Sequence, residues 1–193
     1  MIEDGGAADR PSGRRRRPLE ALHFVPRFSI RMIPELAASH VDAREAAAFA
    51  AGHRIAAGGR TAQDFLTIFE WKTRGRGRSR PALNNDGEIA DALDLALAAR
   101  TERAAIAVLT GLSGVDVAVA SAVMTAVAPQ RYTVIDFRAL WSLGIERRGY
   151  YSVTLYLGYL AACRAIAAGA GVDLRTLDRA LWRYSEANQP TGI

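Results

Sequence analysis

The chain has 193 residues, half of them hydrophobic, and a net charge of +5. This length holds one domain with an ordinary core. No run of about 18 uncharged apolar residues points to a membrane span, and a lone cysteine, Cys163, excludes an internal disulfide and any zinc or iron–sulfur site built on several cysteines.

Residues 1–18, which end in the run Arg14 to Arg17 and Pro18, read as a disordered basic tail. They hold no apolar h-region, so a secretory leader is not expected and a cytoplasmic location is. Residues 19–193 read as one helical domain, although 19–39 give no clear pattern. A helix is predicted from a Ser39 cap to Gly58–Gly59. Another starts at Thr61, with Asp64 in the acidic position of a capping box and Phe65, Ile68, Phe69 and the Lys72 stem on one face. The stretch "TRGRGRSRP" breaks it. Further helices begin at Asn85 or Asp86 and at Thr101, and a small-residue helix from Val117 closes at Pro129. Asp136 opens a short helix that Gly144 ends. A long apolar helix follows Ser152, and the last helix buries Leu174, Leu177, Leu181 and Tyr184. The apolar "YTVI" is too short for a sheet. The fold class is therefore all-α, a compact multi-helix domain of about seven helices joined by short loops.

Residues 102–136 form the most informative unit. A helix ends at Leu112, a turn follows, a second helix rich in Ala118, Ala120, Ser121 and Ala122 packs closely, and the chain then turns at Pro129 and presents Asp136. This pattern resembles the helix-hairpin-helix family of base-excision DNA glycosylases, most clearly over residues 101–145. The family's L-P-G-V-G hairpin matches Leu112, Ser113, Gly114, Val115 and Asp116, and its catalytic "V-D" matches Ile135–Asp136. The resemblance implies a DNA-binding domain with a helix-hairpin-helix motif, acting in base-excision repair on duplex DNA that carries a damaged base. Asp136 would stabilise the positive charge that develops on the sugar and activate the attacking water. The hairpin would offer backbone N–H groups beside a helix N-terminus, with Gly114 clearing space for a DNA phosphate.

Two positions depart from the family pattern. Asp116 replaces the second hairpin glycine, and it either repels a phosphate or caps the second helix. Val117, Ala118 and Val119 stand where bifunctional members carry a Schiff-base lysine. A monofunctional, water-using hydrolase without lyase activity is thus expected. The alternative is a non-catalytic DNA-binding or protein-interaction module, with Asp136 kept as a helix cap.

The basic balance favours a polyanionic partner, yet all but one of the 25 basic residues are arginine. With so much alanine and glycine, this reads as coding bias rather than phosphate chemistry. Lys72, the sole lysine, is either a chance survivor or an amine with a task arginine cannot perform. Lys72 with Arg74, Arg76 and Arg78 would contact the phosphate backbone from an exposed loop, or form a solvated loop of no further role. Trp71, Trp141 and Trp182, with Tyr150 and Tyr151, are core residues or base-stacking groups. His23, His40 and His53 show no ligand spacing, and no metal or other cofactor is expected.

Overall fold

A computed structural model describes residues 22–190. The predicted basic tail, 1–18, lies outside the described residues. Among those described the chain is all-α, with nine α-helices, two short 3-10 turns and no strand. The helices are α1 (Ile33–Ala38), α2 (Glu45–Ala56), α3 (Ala62–Thr73), α4 (Asp86–Ala98), α5 (Glu102–Leu109), α6 (Val117–Val127), α7 (Phe137–Ser142), α8 (Val153–Ala170) and α9 (Leu174–Asn188).

Local chemistry sets most of the boundaries. Thr61, Thr101, Asp116, Asp136, Ser152 and Asp173 each accept a hydrogen bond from the backbone N–H three residues on, satisfying a donor that has no partner inside the helix. A reciprocal capping box is present at Asn85 and Glu88. The predicted acid at Asp64 is used differently. Its carboxylate receives the Thr61 hydroxyl at 2.9 Å and Arg54 Nε at 2.8 Å. Gly144 and Gly171 take positive φ where α7 and α8 stop. Ser39 does not open α2. It ends α1, and its hydroxyl donates to the Leu36 carbonyl, while α2 begins at Glu45. The segment before it, which carries no clear sequence pattern, thus contributes α1, whose Ile33 is fully buried.

Helix α6 is the axis of the fold. Every one of its residues is buried, and α2, α3 and α5 pack around it. Gly52 of α2 lies so close to the Ala126 backbone that a Cβ would overlap it, so these two helices meet backbone to backbone. Helix α9 closes the other side by packing on α1, α7 and α8. Each fully buried Ile or Leu, such as Ile106, Leu109 or Leu140, contributes about 1.5–3 kcal/mol relative to its exposed state.

Helix α8 is long and apolar enough, by length and composition, to cross a membrane, with a mean hydropathy of 1.4. Its one charge, Arg164, interrupts the uncharged run and binds Glu102 of α5 at 3.0 Å. Its inner face sends Tyr156, Tyr159, Leu160 and Cys163 into the core.

Candidate functional site

Between α6 and α7 the chain runs as a non-helical arm, and Tyr132, Thr133, Val134 and Ile135 are all buried. Buried backbone polar groups need partners, and here other helices supply them through side chains. Tyr156 donates its hydroxyl to the Thr133 carbonyl at 3.2 Å, and Tyr159 donates to the Val134 carbonyl at 2.8 Å. The Ile135 N–H donates to Ser121 Oγ of α6 at 3.1 Å. Lys72 of α3 donates to the Ile135 carbonyl at 3.2 Å. Side chains from three helices therefore fix the backbone immediately before Asp136.

Asp136 is held at both oxygens. Oδ1 accepts the Ala139 N–H at 2.8 Å as the α7 cap, and Oδ2 lies 3.4 Å from Lys72 Nζ. The Lys72 side chain is 12% exposed and that of Asp136 is 21% exposed. Lys72 therefore turns inward from the end of α3 instead of joining the exposed arginines that follow it. The pair lies 64 residues apart in sequence.

Two cavities meet at this pair. The outer one, about 750 Å³, is bounded by Arg74, Arg76, Arg80, Arg138, Asp116 and Tyr151. Burial, with the Asp136 and Asp116 carboxylates, pushes the Tyr151 phenol up to about 12, so it remains a proton donor at neutral pH. The inner recess, about 60 Å³, reaches past Lys72 and Asp136 to Asp178, Arg175 and Trp182. Burial pushes the Asp178 carboxyl up to about 6 against the pull of Arg175, with which it pairs. Arg175 also binds Glu45 of α2 at 2.5 Å, and Arg179 joins the same carboxylate. Burial alone would raise Glu45, but the two arginines hold it below the usual carboxylate range. Beside them, burial and Arg175 lower the His40 imidazole, which sits 3.8 Å from Glu45. Among the described residues no group of three or more His, Cys, Asp and Glu side chains is arranged to hold a metal ion.

The outer rim is built from the α3–α4 connection. Arg74 takes a left-handed conformation, φ 54°, at the end of α3, and its guanidinium lies 5.5 Å from the centre of the Trp182 ring. Arg138 lies over the same ring at 4.8 Å and does not pair with Asp136. Arg76 donates to the Thr73 carbonyl, and Arg78 binds Glu70 at 2.8 Å. All of Arg74 to Arg80 is exposed, yet the segment is a series of hydrogen-bonded turns, with Gly75 N–H on Glu70 O and Arg80 N–H on Gly77 O.

The rim docks on the α5–α6 turn, where Leu112 and Val115 are buried and Ser113 and Asp116 are exposed. Asn84 clamps Ser113 twice, accepting its N–H at 2.7 Å and donating to its carbonyl at 3.1 Å. Gly114 has φ +80°, and a Cβ there would lie 2.7 Å from the Arg80 Cβ and 3.0 Å from the Pro81 nitrogen. The sequence expectation gave that space to a phosphate; in the fold it holds Arg80 and Pro81. Asp116 caps α6 through Val119 N–H at 2.9 Å and faces the outer cavity.

The fold thus brings Asp136, Lys72, Arg74 and Arg76 together around one cavity, with Asp116 on its wall. Arg78 is turned toward Glu70, and Leu112 and Val115 serve the core. Tyr151, a candidate stacking residue in the sequence, lines the outer cavity, whereas sequence reasoning missed Asp178 and Arg175 as parts of the site, and Tyr156 and Tyr159 as its supports. Two tyrosines three residues apart on one helix face were the available signal, because a buried phenol needs a hydrogen-bond partner. The chain matches no family model, no curated protein and no solved structure.

Proposed function

We propose that the protein binds duplex DNA and hydrolyses the N-glycosidic bond of a damaged nucleotide, in the manner of the helix-hairpin-helix glycosylases that residues 101–145 resemble. One observation carries the reading: the Asp136 carboxylate lies at the floor of a cleft whose rim is lined by Arg74, Arg76, Arg80 and Arg138. A cationic rim attracts the phosphate backbone without reading sequence. A fixed carboxylate below it suits a reaction that builds positive charge on an extruded nucleotide's sugar. Both oxygens of Asp136 are restrained, so little reorganisation accompanies that step. Asp136 also activates the attacking water. In this reading the backbone contacts fall chiefly to the rim arginines, because Arg80 and Pro81 fill the space at Gly114.

The test is base release from a panel of duplexes, each carrying one damaged base. The expected result is release by the full chain and none by Asp136→Asn. Equal release by that variant removes Asp136 from the mechanism.

The occupied space at Gly114, together with Asp116 on the wall, favours a second reading in which the domain binds DNA or a protein without catalysis. A salt-dependent mobility shift with undamaged duplex and no base release on any substrate identifies the DNA-binding form. No shift at low salt removes both DNA readings.

A further inference from the structure

A third cavity, about 790 Å³, lies between the α1–α2 connection, the turn after α6 and the start of α9. Its volume is typical of small-molecule sites. His40, Asp42, Arg175 and Arg179 line both it and the inner recess, whereas Asp136 does not reach it. Its polar floor carries unmet hydrogen-bonding capacity. Arg175 has every nitrogen engaged, with Nε and Nη2 on Glu45 and Nη1 on Asp178. Arg179 sends Nε and Nη2 to the same Glu45 oxygen, and its Nη1 has no partner among the described residues. This guanidinium side chain is 41% exposed. The His40 side chain is only 7% exposed, yet its Nδ1 has no hydrogen-bond partner. Burial and the Arg175 charge lower the His40 imidazole, against the pull of Glu45 and Asp42, so the ring is neutral at pH 7. The tautomer that turns its Nε2–H toward Glu45 leaves Nδ1 as an acceptor. A buried acceptor without a donor is rare in a folded chain and points to a group supplied from outside. Asp173 stands exposed at the rim and uses one oxygen to cap α9. Both Asp42 oxygens are taken, by the Arg44 N–H and the Trp71 indole. Phe49, Ala46, Pro129 and Val41 supply an apolar wall, with Val41 87% exposed.

We infer that this cavity binds a small zwitterion with an apolar body, namely a free α-amino acid with an aliphatic side chain. Its carboxylate accepts from the open Nη1 edge of Arg179, a charge-assisted hydrogen bond. Its ammonium donates to His40 Nδ1 and is drawn by the Asp173 carboxylate. Its side chain lies on Phe49 and Pro129, which removes apolar surface from water. A bare anion is disfavoured here, because Asp42 and Asp173 line the same space. A bare cation is disfavoured by Arg175 and Arg179. A molecule that carries both charges next to each other meets both groups at once. This site stands whether or not the chain binds DNA.

The test titrates the full chain with L-leucine, followed by calorimetry and by the NMR signals of the imidazole rings. The chain has three histidines, and loss of one ring signal in His40→Gln assigns His40. The expected result is saturable binding that moves the His40 signal. N-acetyl-leucine, leucinamide and glycine lack the ammonium, the carboxylate and the apolar body in turn. Each should bind at least about tenfold more weakly than leucine. Arg179→Met, confirmed as folded by circular dichroism, should weaken leucine by a similar factor. No saturable response up to about 10 mM leucine overturns the site. So does a response that leaves the His40 signal unmoved. Equal binding of any of the three analogues overturns the assignment to an aliphatic zwitterion, and unchanged affinity in Arg179→Met overturns the carboxylate contact. Because the four ligands are compared on the wild-type chain, the outcome does not depend on the variant folding.

Discussion

The arm before Asp136 and the rim from Arg74 to Arg80 both reach the inner recess, through Val134 and Arg74, and are built on opposite plans. The arm is buried, and its polar groups are held by side chains from distant helices, namely Tyr156, Tyr159, Ser121 and Lys72. The rim is exposed, held mainly by its own backbone turns and by docking at Gly114. The arm trades backbone freedom for a carboxylate fixed in space. The rim keeps its guanidiniums in water, where they act at a distance and need no single geometry. Chemistry asks for the first plan and capture of a polyanion for the second.

The sharpest separation of the two plans comes from Asp136→Asn. Asparagine still accepts the Ala139 N–H as a helix cap but leaves the largely buried Lys72 amine without its carboxylate, so stability should fall by only about 1–3 kcal/mol. Base release should nonetheless fall by about 10²-fold or more. Thermal melts and a release assay on the same preparation check both halves, and a large loss of stability would show that the carboxylate is mainly structural. Gly114→Ala attacks the docking of the rim. Its positive φ and the 2.7 Å approach of Arg80 should destabilise the protein by about 1–3 kcal/mol in denaturant titrations. Tyr159→Phe strikes the arm, leaving the buried Val134 carbonyl without its phenol donor at a cost of about 1–3 kcal/mol. If the arm aims Asp136, base release falls in this variant while DNA binding does not.

A pH measurement reaches the inner recess. Asp178 titrates near 6 in the fold, against about 3.9 in an unfolded chain. Between these values the unfolded chain has lost the proton that the folded chain keeps. Asp178 therefore weakens the fold as pH rises from about 4 to about 6. Glu45 and Asp64, both held low, slope the other way and lose their contribution as pH falls. The informative quantity is thus the stability of wild type minus that of Asp178→Asn, which should decline across this window and stay flat above it. The smallest effect belongs to the rim. Replacing Arg74 and Arg76 by glutamine should make DNA binding less sensitive to salt. The slope of log affinity against log salt should fall by about one for each phosphate no longer neutralised, with little change in melting temperature.

Much of the fold was legible because it is written locally. Thr61, Asn85, Thr101 and Asp136 sit at helix starts, where a short polar side chain satisfies a free N–H, and that preference acts over three residues. Helix α1 was missed because it is short and follows a 3-10 turn, with Pro34 in its first turn, and buries only Ile33 fully, with Leu36 and Ala37 partly covered. The Asp136 position within the chain was visible, but its partner was not. Lys72 meets it only through the packing of α3 against α6. The Glu45–Arg175–Asp178 cluster joins α2 to α9, and no short-range pattern encodes such a contact. Arg80 and Pro81 were readable as a break after α3, whereas their seat on Gly114 depends on two turns meeting in space.

The Ile135 amide offers a way to listen to the site. Its hydrogen is held by Ser121 Oγ inside a helix with no exposed residue, one peptide unit before the carboxylate. Such an amide exchanges with solvent only when the core opens. In an isotope-labelled sample its signal would outlast those of the rim amides and would report the integrity of the Asp136 mount without any substrate present.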